Sequence, residues 1–161
     1  MNKTKIIIDK ILLALSSLLL LTMVVLSLWQ ILSRYVFNIS SPGTEELTRY
    51  LLIWFGLMSA AYVFGAKKHI AIVFFREKFN PITQRILQRI SDLLVILVAV
   101  ALMIYGGFKM VMLTSGQTAA ATGISMGLVY LSLPISGIFV IFYTIHSMAT
   151  NKKNKNEEVG F

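Results

Sequence analysis

Apolar positions along this chain gather into four long runs without charge, separated by short polar or basic stretches. The first, residues 11–33, carries no charge over 23 positions. At about 1.5 Å per residue it is long enough to cross a hydrocarbon core of ~30 Å. A cleavable signal peptide would have a shorter apolar centre of about 7–15 residues and a small-residue cleavage site, and neither is present. The second run, residues 50–66, has 17 uncharged positions between Arg49 and Lys67, which suffices if Leu47 extends the helix and Arg49 snorkels toward water. The third starts after Asp92 with LLVILVAVALMIYGGF and continues through Lys109 to about Thr114. From Met110 to Asn151 no formally charged residue occurs, so the chain must turn within residues 116–123 and come back as a fourth helix. The pattern predicts an all-α membrane protein forming one domain over residues 1–161, with helices at about 11–33, 47–66, 92–114 and 124–146 and a flexible tail at 150–161.

Between the second and third runs lies AKKHIAIVFFREKFNPITQRILQRISD, too charged to span and too apolar to float free. Asn80 followed by Pro81 is a helix-start signal, because Asn accepts from free N–H groups and Pro suits the first helical position. Ile82, Ile86 and Ile90 then fall on one face, with Gln84, Arg85, Gln88 and Arg89 opposite. An amphipathic helix at the membrane surface follows for residues 69–90, either as the polar entrance to the third span or as a separate horizontal brace.

Composition agrees: 57% of residues are hydrophobic and only 14% charged, which excludes an ordinary soluble domain. There is no Cys, so disulfides, thiolate nucleophiles and iron–sulfur clusters are excluded within the chain. Basic residues alternate in position: Lys3, Lys5 and Lys10 before the first helix, 67–89 between the second and third, and Lys152, Lys153 and Lys155 after the fourth. The positive-inside rule puts those segments, and both termini, on the cytoplasmic side. The formal charge of +8 is what insertion beside anionic lipids leaves behind, so no nucleic-acid partner is implied.

Candidate chemistry is sparse. A transport pathway needs ionisable groups inside the membrane, and Asp9, Asp92 and Lys109 sit near predicted helix ends. A small multidrug exporter would need a carboxylate inside the first helix, where only Ser, Thr and Gln are available. A haem or quinone membrane anchor is the other alternative, with His69 and His146 as the two histidines. No catalytic or metal-binding spacing occurs, and Gly106-Gly107 reads as a site of close helix packing.

The informative polar cluster is WQILSRYVF followed by TEELTRYLLIW. Thr44 is placed to cap the second helix, and Glu45 and Glu46 suit its positive first turn. Glu45 and Arg49 stand at i, i+4. Gln30 and Arg34 are also four apart, so an antiparallel hairpin would bring Arg34 toward the two carboxylates as a pin between helices.

These residues resemble the DctQ-like small membrane subunit of tripartite ATP-independent periplasmic (TRAP) transporters. The resemblance rests on Gln30, Arg34, Tyr35, Val36 and Phe37, then Pro42, Glu45, Glu46, Leu47 and Trp54, then Lys68, His69 and Ile70, and finally Tyr130 and Pro134. The family often has a Trp where Gly43 or Thr44 stands and an acid where Val73 stands. What the resemblance implies is a bacterial inner-membrane scaffold subunit. Its expected partners are a large elevator-type membrane subunit, a periplasmic substrate-binding protein and membrane lipids. Uptake of an organic acid, of the sialic acid or C4-dicarboxylate type, would be driven by sodium bound in the large subunit, with no cofactor here. Gln30, Arg34, Tyr35, Glu45, Glu46, Arg49 and Trp54 are the expected outer structural residues, and His69, Arg85 and Arg89 the expected cytoplasmic interface.

Overall fold

The computed structural model describes the backbone of residues 2–65 and 81–158. Its elements are α1 (Asn2–Tyr35), α2 (Pro42–Gly65), α3 (Pro81–Val98), a π-helical segment (Ala99–Gly106), α4 (Gly107–Thr114), α5 (Met126–Tyr130) and α6 (Ser132–Glu158). Four stretches are long and apolar enough to cross a membrane: Thr4–Tyr35, Pro42–Gly65, Ile86–Thr114 and Met126–Ala149. We refer to them as the first to fourth spans. Asp9 near the start of α1 and Tyr143 in the second half of the fourth span meet at one end of the molecule, the terminal end. The two short connections, at 36–41 and 115–125, form the loop end.

Local chemistry explains the boundaries. α1 stops where Asn38 enters the left-handed region (φ 53°), a conformation that Asn tolerates. The last carbonyls of α1 are then satisfied by Val36 N–H on Leu32 O (2.8 Å) and Ile39 N–H on Ser33 O (2.9 Å). α2 opens at Pro42, whose missing N–H costs nothing in the first turn. Thr44 is therefore not the cap expected from the sequence. It lies inside the first turn, and its hydroxyl donates back to Ser41 O at 2.8 Å.

The amphipathic stretch from Pro81 onward runs without interruption into the apolar part of the third span, so the described part of it is that span's polar entrance. Residues 69–80 of the expected surface helix fall outside the described residues.

The spans pack in the order first, second, fourth, third, as an open layer. α1 lies along α2, α2 along α6, and α6 along α3 and the π segment. On α1 the covered positions are Leu12, Ser16, Leu19, Met23, Leu26, Gln30 and Ser33. They are spaced alternately four and three apart, which is the seam of a left-handed helix pair. Leu13, Leu20, Leu21, Val24, Val25 and Leu28 on the other side are exposed, as a lipid-facing surface requires.

The fourth span is the most enclosed. Its buried hydroxyls are satisfied within the helix: Ser132 donates to Val129 O, Ser136 to Leu133 O and Thr144 to Val140 O, at 2.7–2.9 Å. Pro134 has no N–H to give to the turn before it, and the chain breaks briefly at Leu131 between α5 and α6. Against this irregular stretch lies the π segment of the third span. A Cβ added at Gly107 would stand 2.9 Å from Pro134 Cδ, and one at Gly137 would stand 2.8 Å from Met103 Cβ. The two spans thus touch backbone to backbone, with each glycine accepting the partner's bulk. Of the pair Gly106-Gly107, Gly107 makes this contact.

The apolar core has two clusters toward the terminal end. Leu12, Met58 and Tyr143 form one, with Ile8, Trp54, Tyr62, Ile135, Phe139 and Phe142 around them. Ala61, Ala99 and Val140 form the other, where small side chains let α2, the π segment and α6 converge.

Candidate functional site

Polar chemistry concentrates at the loop end, where the two adjacent acids of α2 have different tasks. Glu45 faces outward and meets Arg49 at 3.5 Å one turn later, with both side chains more than half exposed. Such a pair contributes little to stability. Glu46 turns instead toward the connection between the third and fourth spans. Its Oε2 accepts from Thr122 N–H (2.8 Å), Ala121 N–H (3.1 Å) and the Thr122 hydroxyl (2.9 Å). Hydrogen bonds to an ionised carboxylate are roughly twice as strong as neutral ones, and three donors converging on one oxygen define a single geometry. One turn along α2, the Tyr50 hydroxyl reaches Met126 Sδ at 3.4 Å, adding a second tie between the same segments.

The connection that Glu46 holds has its own closure. Gln117 N–H donates to Thr114 O, Ala119 N–H to Ile124 O and Met126 N–H to Gln117 O, at 2.9–3.0 Å. Thr118 and Ser125 face each other in an isolated antiparallel bridge. Gly123 adopts φ 70°, which glycine accepts without strain. Beneath it, Gly127 packs so tightly that an added Cβ would lie 3.1 Å from Ser115 Cα.

The expected pin between Arg34 and the carboxylates does not form. Ser33 occupies the face of α1 that is pressed against α2, and Arg34, about 100° further round the helix, is exposed. Among the described residues no carboxylate lies within salt-bridge distance of Arg34, and Glu46 is already committed to the other connection. Gln30 is half-buried in the α1 seam. Tyr35 is 77% exposed, and Trp29 lies against Phe37 with ring centroids 6.4 Å apart, as an aromatic belt at a membrane interface would be. Trp54 packs against the first core cluster and helps line an apolar groove with Leu47, Tyr50, Leu51, Ile124, Leu128 and Val129.

At the terminal end, Arg89 is exposed on α3, Arg85 lies on the same helix, and His69 is outside the described residues. Sequence reasoning passed over a contact there: the Tyr143 hydroxyl donates to Asp9 Oδ1 and ties the fourth span to the first. It also passed over Thr122 as the partner of Glu46. Among the described residues no group of three or more His, Asp or Glu side chains could hold a metal ion. The arrangement fastens helices and loops together.

A profile of the family described as "Tripartite ATP-independent periplasmic transporters, DctQ component" matches residues 23–153. The chain belongs to the DctQ family. It is similar to a TRAP transporter small permease protein of Haemophilus influenzae, 34% identical over 118 residues, covering 73% of each chain. The sialic acid TRAP transporter small permease protein of Vibrio cholerae is 30% identical over 114 residues, which is 71% of this chain and 65% of that one. A longer relative, the sialic acid TRAP transporter permease protein SiaT of Haemophilus influenzae, is 28% identical over 128 residues, spanning 77% of this chain and 20% of its own length. This DctQ-family protein is thus a small permease subunit, a multi-pass protein of the inner membrane. The matched region contains all of the Glu46 cluster, whereas Asp9 lies before it.

Proposed function

We propose that this subunit is the fixed scaffold of a sodium-coupled TRAP importer, holding a large permease subunit in the membrane and moving no substrate by itself. The observation that carries the proposal is the match to SiaT: most of this chain corresponds to one fifth of a longer permease. In that relative a unit of this kind makes up about one fifth of a permease, and in this reading the chain supplies the small-subunit part of such a system. The open layer supports this reading, because its edge spans leave long apolar faces for a membrane partner. So does the internal use of its polar groups, since Glu46, Tyr143 and Asp9 are spent on holding helices and loops.

In this reading the large subunit binds sodium and an organic acid, and a periplasmic binding protein delivers that acid to the loop end. Sialic acid is the first substrate to test, because two relatives are named for it. The termini face the cytoplasm, where the basic residues of the N-terminal, 67–89 and 152–155 stretches meet anionic lipid.

The test is purification in mild detergent followed by reconstitution. The tagged chain should bring down a polytopic partner several times its size, and vesicles should take up labelled sialic acid under a sodium gradient only when both membrane subunits and the binding protein are present. Uptake by this chain alone would sink the scaffold reading. Orientation is checked separately: since the chain has no Cys, a single cysteine replacing Thr118 should react with an impermeant maleimide from outside, and one replacing Lys155 should not.

A further inference from the structure

The two edges of the layer differ in chemistry. The outer side of the first span carries Leu13, Leu20, Leu21 and Val24. Its exposed polar residues, Ser17 and Thr22, have hydroxyls short enough to bond to their own helix, as Thr22 does to Leu18 O at 2.8 Å. The outer side of the third span also exposes Leu94, Leu97, Leu102 and Met112, but Tyr105 (72% exposed) and Lys109 stand among them. Gly107 is pressed against Pro134 of the fourth span, and a residue two places further along a helix lies about 200° round. Lys109 therefore points away from the rest of the protein.

Depth makes these two side chains costly in lipid. Ser115 stands beside Gly127, and Met126 beside Tyr50, where the second uncharged run begins. That level marks the loop-end boundary of the membrane. At about 1.5 Å per residue Lys109 lies about 9 Å beneath Ser115 and Tyr105 about 15 Å, the latter near the middle of a ~30 Å core. Among the described residues no carboxylate lies within salt-bridge distance of Lys109, and Tyr105 makes no hydrogen bond through its hydroxyl. Lipid tails satisfy neither group. Snorkelling is a poor escape, because helix side chains lean toward the helix N-terminus. The third span runs from the terminal end to the loop end, so Lys109 leans away from the nearer surface, and Tyr105 is too deep to reach either one. A second copy of this chain in the same orientation brings no acid to this depth. Asp92 lies about 25 Å away along the span, Asp9 is near the start of the first span, and Glu45 and Glu46 sit at the loop-end boundary.

We propose that the outer face of the third span, marked by Tyr105 and Lys109, is where this subunit meets the large permease subunit, and that a helix of the partner presents a carboxylate to Lys109 and a hydrogen-bonding group to Tyr105. The inference rests on the scaffold reading above and deepens it by choosing one edge of the layer. The outer side of the first span then faces lipid.

The experiment purifies the full complex in mild detergent through a tag on this chain. Lys109→Glu should lower recovery of the large subunit by roughly tenfold, the effect of one polar contact between helices in lipid. Lys109→Arg, which keeps the charge, should hold recovery near the parent's. The yield of the tagged chain itself should change in neither case, since Lys109 bonds to nothing else in it. Contact is read separately by photo-crosslinking: benzoylphenylalanine in place of Met112 should join this chain to the large subunit, and in place of Leu21 it should not. Four results would overturn the proposal. Full recovery with Lys109→Glu removes the lysine from the interface, and a crosslink from position 21 with none from 112 moves the partner to the other edge. A crosslink from 112 between two copies of this chain makes the face a self-association surface. Loss of bound phosphatidylglycerol with the large subunit retained makes Lys109 a lipid contact. Absence of any large membrane partner from the unmodified preparation is a different outcome, and it would take the scaffold reading down as well.

Discussion

The two ends of this small membrane protein are held by different physics. At the terminal end, the four spans fill the space between them with Leu12, Met58, Tyr143, Ala61, Ala99 and Val140. At the loop end, an apolar groove remains between α2 and the fourth span, and the parts are joined above it by the Glu46 cluster and the contact from Tyr50 to Met126. In lipid an apolar side chain gains little by leaving its surroundings for a helix interface, so association depends on close fit or on hydrogen bonds. Close fit dominates at the terminal end, where Tyr143 and Asp9 add one hydrogen bond, and hydrogen bonds to Glu46 dominate at the loop end. The terminal end should be sensitive to volume and the loop end to the loss of an acceptor.

That contrast can be broken most severely by adding bulk at the terminal end. A Cβ at Gly65 would stand 2.5 Å from the Tyr143 ring. Gly65→Leu should cost at least about 1–3 kcal/mol, the range for overpacked cores, and lower the unfolding temperature in detergent. Gly56→Leu on the same helix is the control, because nothing lies within 4 Å of the added Cβ, and its unfolding temperature should match the parent's.

Next in size is Tyr143→Phe, which removes the donor to Asp9 without changing the packing. The expected loss is about 1 kcal/mol in the same measurement, while Asp9→Asn, which keeps an acceptor oxygen, should lose less.

A smaller and strictly local effect is expected from Thr122→Val. One of the donors to Glu46 disappears, so amide exchange at Ala121 and Thr122 should accelerate while the unfolding temperature stays within error. If it falls as far as in Tyr143→Phe, the loop end is part of the core and the contrast fails.

Smallest of all should be Glu45→Ala. Its ion pair with Arg49 is exposed and contributes roughly half a kcal/mol or less. The same view predicts that Arg34→Glu and Glu46→Arg add without mutual rescue, since the two side chains do not meet.

Much of the fold was legible in the chain. Uncharged run lengths yield four spans, whereas the start of α2 at Pro42, earlier than the expected 47, came from the structure. The choice between a separate surface helix and a polar entrance was not legible. The hydrophobic period of Ile82, Ile86 and Ile90 is the same in both, and only continuity of the helix through Asp92 separates them. The candidate site was half legible. Glu45 and Glu46 stand out as acids in the first turn of a helix, and the Arg49 partner follows from i, i+4 spacing. The pin with Arg34 was inferred from nearness in sequence, and nearness in sequence is a poor guide when one residue's step turns a side chain by about 100°.

By itself the sequence determined that lipid is the solvent for this protein and how many times the chain crosses it. Both depend on the local density of charge and on run length, which no later folding step can change. Tertiary structure alone decided that the spans pack in the order first, second, fourth, third, and that Glu46 closes on Thr122. Those outcomes depend on which helix faces meet, and faces meet through the fit of Gly107 to Pro134 and Gly137 to Met103, a complementarity of shape between segments that no local pattern records.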